Sequence, residues 1–268
     1  MKLRVLAAVV AGAALLTAGC GTGQRAAGPA TDGAVTAAPS GGGGTATLTV
    51  FAAASLKDTF TALGTQFEAA NPGTKVTFNF AGSSDLAQQI VQGAPADVFA
   101  AASDATMKTV SDAGQTAAAP APFAKNTLQI AVAPGNPKGI ASFADLAKPE
   151  LKVVVCAKGV PCGDAELKVE TATQIDVQPV SEEPDVKSTL SKVQSGDADA
   201  GLVYVTDVAA AKGAVQGVAF PEAAQAATNY PIAVVKTSKQ AALAQKFEAL
   251  VTGQAGQQVL QAAGFQAP

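Results

Sequence analysis

The chain has 268 residues, with 18 Lys and Arg against 21 Asp and Glu, a formal net charge of −3, and neither histidine nor tryptophan. This mildly acidic balance, without any long basic run, argues against nucleic acid as a partner. The missing histidine excludes Ser-His-Asp triads, Cys-His pairs and His-based zinc sites. Hydrophobic residues make up 48 %, enough to bury a sizeable core in one large or two medium domains.

The N-terminus reads as a secretion signal over 1–19: Lys2 and Arg4 form a basic start, and Leu3 to Leu16 is almost entirely apolar but too short to span a membrane comfortably. The following "LTAGC" resembles a lipobox, which implies cleavage before Cys20 and lipidation of its thiol; ordinary cleavage nearby, with Cys20 incidental, is the alternative. Residues 20–46 are rich in Gly, Ala, Thr, Pro and Ser, with "SGGGGT" near the end, a composition that cannot bury a core and predicts a flexible tether. If Cys20 carries lipid, Cys156 and Cys162 remain as a pair spaced C-x5-C. Outside the cytoplasm such a pair usually bridges, two buried thiols being the alternative.

From residue 47 apolar runs alternate with segments of helical period. "ATLTVFAA" predicts a strand, and Leu56, Phe60, Leu63 and Phe67 form the apolar face of a helix over 56–70. "NPGTK" is a turn and "VTFNFA" a strand. Leu86, Ile90 and Val91 mark a second helix, "ADVFAAA" a third strand and "SDATMKTVSDAG" a third helix. "TLQIAVAP" predicts a strand, 142–147 a short helix, "LKVVVCA" a strand and 164–173 a helix. Another helix starts near Pro184. "AGLVYVT", "AVQGVAF" and "YPIAVVKT" predict strands, with a short helix at "DVAAAKG" between the first two, and 238–251 and 254–263 predict closing helices. Steady alternation of this kind predicts an α/β architecture, and the absence of a nucleotide-type glycine fingerprint fits two similar lobes. "LQIAVAP" and "YPIAVVK" resemble each other and are read as two crossing strands, giving lobe 1 as 47–127 plus 234–268 and lobe 2 as 128–233.

Two strand-to-helix junctions carry hydroxyls: "AAASL" with Ser55 and "AGSSDLA" with Ser83 and Ser84. A helix N-terminus offers free N–H groups and a partial positive charge, so each junction is a plausible anion cradle. For Ser55 a capping box with Asp58 explains the residue without any ligand, and capping explains one serine of the second cluster. Two such junctions on adjacent units favour an anion site.

The combination "FAAASL", "GAPADVF" and "AGLVY", with "VPCGDAEL", "EEPDVKSTLSKVQSGDADAGLVYVTDV" and "YPIAVV", resembles the molybdate-binding proteins of ATP-driven importers over nearly the whole folded part. The resemblance implies a two-lobed type II periplasmic-binding fold, each lobe a mixed sheet flanked by helices, with two crossing strands as hinge and the oxyanion held between the lobes. It implies oxyanion donors at Ser55, Ser83, the backbone amides of Cys162 and Val186, and the Tyr204 hydroxyl, with Ser84 a possible addition. Family members usually carry another serine where Gly82 stands, and a "PAG"-like turn where this chain has "PCG".

The resemblance further implies a lipid-anchored, monomeric binding protein for molybdate and tungstate that closes around its ligand and docks on a membrane permease. It would be attached through Cys20 to the periplasmic side or outer face of the cell membrane. No catalysis, cofactor or directly ligated metal is expected. The alternatives are a binder of sulfate or phosphate on the same fold, or a secreted enzyme using Ser55 or Ser83, for which neither motif supplies a base. Asp58 and Asp85 are expected to cap helices and point away from the anion, and Asp97 and Asp207 to be solvated loop ends or caps.

Overall fold

The computed structural model describes residues 45–268. The signal segment, Cys20 and almost all of the proposed linker lie outside the described residues. Two five-stranded sheets organise the remainder.

The first sheet contains β1 (Ala46–Ala53), β2 (Thr74–Ala81), β3 (Val98–Ala100), β4 (Ala121–Asn126) and β10 (Thr228–Val234), in the order β2-β1-β3-β10-β4. β1 runs parallel to β2 and β3, whereas β10 is antiparallel to β3 and β4. The period-two alternation of a strand buried on both faces is visible in β1. Leu48, Val50 and Ala52 join the core formed with α1 (Lys57–Ala70), α7 (Ala241–Thr252) and α8 (Gln254–Ala262), where Phe60, Phe67 and Phe247 pack edge to face at 5.4–5.8 Å. Phe51 points to the opposite face, against Leu86 and Ile90 of α2 (Ser83–Val91) and Met107 of α3 (Asp104–Asp112).

The second sheet contains β5 (Leu128–Val132), β6 (Val153–Cys156), β7 (Ser181–Glu183), β8 (Ala200–Tyr204) and β9 (Gln216–Val218), ordered β7-β6-β8-β5-β9. β6 is parallel to β7 and β8, and β5 antiparallel to β8 and β9. Its helices are α4 (Pro161–Thr173), α5 (Val186–Ser195) and α6 (Val205–Ala210). A single buried cluster, including Ile130, Val153, Leu190 and Leu202, forms its core. Both sheets are mixed and flanked by helices, as expected.

Two strands go unpredicted. β4 carries Pro122, which lacks a ladder N–H and is tolerated because β4 is an edge strand. Its exposed side is covered at one point by reciprocal bonds between Lys125 and Gln266. β7 reads "SEE", polar and short, and is also an edge. The crossing strands differ from the sequence reading too. "LQIAVAP" pairs wholly within the second sheet and "YPIAVVK" within the first, so residues 228–233, read as lobe 2, lie in the first sheet. The chain passes between sheets at Thr127, between β4 and β5, and again at Ala227, before β10.

Candidate functional site

Ser55 follows β1, Ser83 follows β2, Cys162 follows β6, Val186 follows β7 and Tyr204 ends β8. All five stand at the carboxyl ends of parallel strands, where α/β sheets place their ligands. The structure brings all five onto the wall of one small cavity. The rest of the wall is mostly small, with Ala53, Ala54, Ala81, Gly82 and Ala102, and no Lys or Arg lines it.

In the first lobe the donors are hydroxyls. Ser83 is the first residue of α2, and its Oγ accepts the N–H of Ala102 at 3.0 Å. One lone pair is thereby used and the O–H is left to donate. Ser55 sits in a single 3-10 turn ahead of α1. Its expected capping role is not found: neither this turn nor α1 has a side-chain cap, and Ser55 Oγ instead lies 3.0 Å from the Tyr230 hydroxyl. Ser84 does not line the cavity; its hydroxyl donates to the carbonyl of Gly159 in the other lobe.

In the second lobe the donors are peptide N–H groups at helix starts. Pro161 occupies the first position of α4, where its missing N–H costs nothing, and Cys162 follows. Gly163 allows this turn to seat against β6, because a Cβ there would lie 2.3 Å from the carbonyl oxygen of Ala157 and 2.5 Å from that of Cys156. Cys156 and Cys162 are joined by a disulfide, which ties the amide-bearing turn to the strand end. At α5 the Asp185 carboxylate accepts from the N–H groups of Lys187 and Ser188 and from the Ser188 hydroxyl. The N–H groups of Cys162 and Val186 make no hydrogen bond among the described residues, as first-turn amides lack intrahelical partners. Tyr204 is 1 % exposed, and its hydroxyl has no partner among the described residues. Burial above all, then the neighbouring Tyr230, pushes its phenol well above the ordinary range, so it remains a neutral donor.

No cationic side chain lines the site; Asp185 is the one charged residue on its wall, and a cation outside the wall joins the lobes. Lys187 of α5 bridges Asp58 of α1, at 3.3 Å, and Asp207 of α6, at 3.2 Å. Asp58 therefore pairs across the lobes instead of capping α1, while Asp85 is exposed and caps nothing. Asp207 caps α6 as expected, its Oδ2 accepting the N–H of the N-cap residue Tyr204, but it is fully buried rather than solvated; burial raises its pKa and Lys187 pulls it back. Asp97 is an internal tie, accepting from Thr49 N–H and the Ser238 hydroxyl. Gly82 stands hard against the other lobe: a Cβ on it would lie 2.4 Å from the carbonyl oxygen of Pro184.

The family profile of bacterial extracellular solute-binding proteins matches residues 48–266. The chain belongs to that family. Among curated relatives, the molybdate-binding protein ModA of Mycobacterium tuberculosis is 53 % identical over 225 residues, covering 84 % of this chain and 86 % of that protein. Among solved structures, the periplasmic molybdate-binding protein of Azotobacter vinelandii aligns with a TM-score of 0.70 at 23 % identity, over 82 % of this chain and 99 % of that one. The sulfate-binding protein SubI of Mycobacterium tuberculosis aligns with a TM-score of 0.73 at 21 % identity, over 83 % and 87 %. At such identities these two structures speak for the fold alone, the two-lobed type II periplasmic-binding fold. No helix among the described residues is long and apolar enough to cross a membrane.

Reading the sequence missed the groups behind the wall: Asn126, Thr206 and Tyr230, and the Asp58–Lys187–Asp207 bridge. Tyr230 belongs to "YPIAVV", yet nothing local in that strand shows that its hydroxyl meets Ser55, 175 residues away in sequence.

Proposed function

We propose that this solute-binding protein captures molybdate, and tungstate as well, between its lobes and delivers the anion to an ATP-driven membrane permease without catalysing a reaction. One observation carries the reading: five residues able to offer uncharged donors, from both lobes, line one cavity that has no cationic side chain on its wall. Five hydrogen bonds to a dianion, at ~1.5–3 kcal/mol each, give ~7–15 kcal/mol gross, part of which desolvation and lobe closure consume. The 53 % identity to a molybdate-binding relative supports the choice of anion. Serine hydroxyls, a buried phenol and peptide amides, fixed by helix starts and a disulfide, select by anion size where a flexible lysine would not.

Sulfate and phosphate are the competing ligands. Hydrogen phosphate carries a proton and needs an acceptor, and the Asp185 carboxylate at the cavity wall is already engaged by two N–H groups and a hydroxyl. A thermal-shift panel of oxyanions tests the reading. Molybdate at 100 times its dissociation constant adds ~2.7 kcal/mol to the folded state; a shift with sulfate and none with molybdate overturns it.

In this reading the hinge lies at Thr127 and Ala227, where the chain changes sheets. The protein acts as a monomer held to the outer side of the cell membrane by lipid on Cys20. Metabolic labelling with a fatty acid, retained by the wild type and lost in Cys20→Ala, checks the anchor.

A further inference from the structure

Behind Ser55 lies a buried chain of polar groups that touches no part of the cavity. Asn126 ends β4 and is 1 % exposed; its Oδ1 accepts the N–H of Thr127 at 3.0 Å, which fixes the amide's orientation. Its Nδ2 therefore carries the hydrogens, one directed to Thr206 Oγ1 at 2.8 Å and the other to the Tyr230 hydroxyl oxygen at 3.5 Å. Tyr230 is wholly buried. Asn126 Nδ2 can only donate to it, so among its hydrogen-bond partners the one acceptor for the buried Tyr230 hydrogen is Ser55 Oγ at 3.0 Å. Ser55 then accepts from Tyr230 and has its O–H left over, on a side chain that lines the cavity. A hydroxyl free to rotate could either donate or accept; this one is committed to donating. Ser83 is committed in the same sense by the N–H of Ala102.

We propose that Tyr230 and Asn126 are positioning residues that set the polarity of the Ser55 hydroxyl, and thereby make the site reject oxyanions that carry a proton. This rests on the oxyanion-binding reading above. A ligand O–H facing Ser55 would meet a second hydrogen instead of a lone pair, while a bare oxygen meets a ready donor. The fixed hydroxyl also spares the loss of rotational freedom that a mobile serine would incur on binding.

The test is a double-mutant cycle read by calorimetric titration of the purified protein with molybdate and with phosphate at pH 7. Ser55→Ala removes a bond to a charged group and weakens molybdate about 10- to 100-fold. Tyr230→Phe leaves the serine in place but unaligned and weakens molybdate about fivefold, while phosphate binding is unchanged or improves, so the molybdate-to-phosphate ratio falls. If the effect of Tyr230 on the anion runs through Ser55, the double variant binds molybdate no more weakly than Ser55→Ala alone; an added loss on the Ser55→Ala background would point to the neighbouring Tyr204 instead and overturn the proposal. A merely structural role for Tyr230 would multiply the two losses and leave the ratio untouched, and either result overturns the proposal. So does a Tyr230→Phe variant with unchanged molybdate affinity. If that variant fails to fold, Asn126→Ala takes its place, with a loss in the same direction that also vanishes on the Ser55→Ala background. A wild type that ignores molybdate overturns the functional reading and this inference with it. A wild type that binds, weakened by Ser55→Ala but not by Tyr230→Phe, overturns the inference alone.

Discussion

The two lobes face the same cavity with different chemistry. The first presents side-chain hydroxyls, Ser55 and Ser83, each backed by a hydrogen-bond partner from elsewhere in its lobe. The second presents mainly peptide N–H groups, at Cys162 and Val186, held by helix starts, with the single phenol of Tyr204. A hydroxyl donor is lost with one side chain. A peptide donor survives every substitution except proline, so the identity of Val186 matters to the core of its lobe, where it is 3 % exposed, and hardly to the anion.

The largest effect is expected where the lobes touch. Gly82→Val puts a side chain where even a Cβ would stand 2.4 Å from the Pro184 carbonyl oxygen. The φ of −56° at Gly82 suits any residue, so the cost falls on closure alone. Molybdate affinity is expected to fall about 100-fold or more, with ligand-free melting unchanged. Calorimetric titration beside a ligand-free melting curve checks it, and a normal affinity would show that the lobes need not meet at this point.

Val186→Pro tests the peptide donor directly. Proline is tolerated at the first helical position, and the preceding Asp185 is extended, at φ −158° and ψ 165°, as a residue before proline must be. The variant loses one N–H and should bind molybdate about 10- to 100-fold more weakly. Val186→Ala is expected to keep its affinity within about threefold while losing ~1–2 kcal/mol of stability from the core. Equal binding losses in the two variants would mean that the side chain, not the amide, is what the site uses.

The second lobe carries a large pH dependence at one buried carboxyl. Glu166 of α4 is 5 % exposed, and burial first, then Glu170 and Glu182, raise its pKa to about 8. Unfolded, it titrates near 4.5. Between these values the folded state holds the proton that the unfolded state has released. The stability present below pH 4.5 is therefore lost as pH rises, by at most ~1.4 kcal/mol per unit, and levels off above about 8. Denaturant titrations at pH 5 and pH 8 should show the decline in the wild type and its flattening in Glu166→Gln; parallel curves would remove Glu166 as the cause.

The smallest effect is expected from Asp58→Asn. It breaks the exposed pair across the lobes and leaves Lys187 with Asp207. Affinity should fall at most about fivefold at low salt and less at high salt, measured by titration at two ionic strengths.

Much of this molecule was open to reading from its residues. The alternation of β-branched runs with helical spacing marks most strands and helices because burial on a sheet face or a helix stripe imposes those periods on any chain. The resemblance of the motifs to known binding proteins pointed to Ser55, Ser83, Cys162, Val186 and Tyr204, and the structure places these five residues around one cavity. Short edge strands escaped, since β4 has a proline and β7 two glutamates, and a strand that pairs on one side needs little of the usual pattern.

Residue order alone carries the elements, their succession, and the hydroxyls and helix starts able to serve an anion, because those depend on local spacing and residue chemistry. Three-dimensional packing was needed to show that Asp58 meets Lys187 rather than capping its own helix, that Ser84 turns to Gly159, and that Asn126 and Tyr230 direct the Ser55 hydroxyl. Hydrogen-bond direction depends on partners brought together across as many as 175 residues, and nothing in the local pattern of a strand records which buried neighbour its side chain will meet.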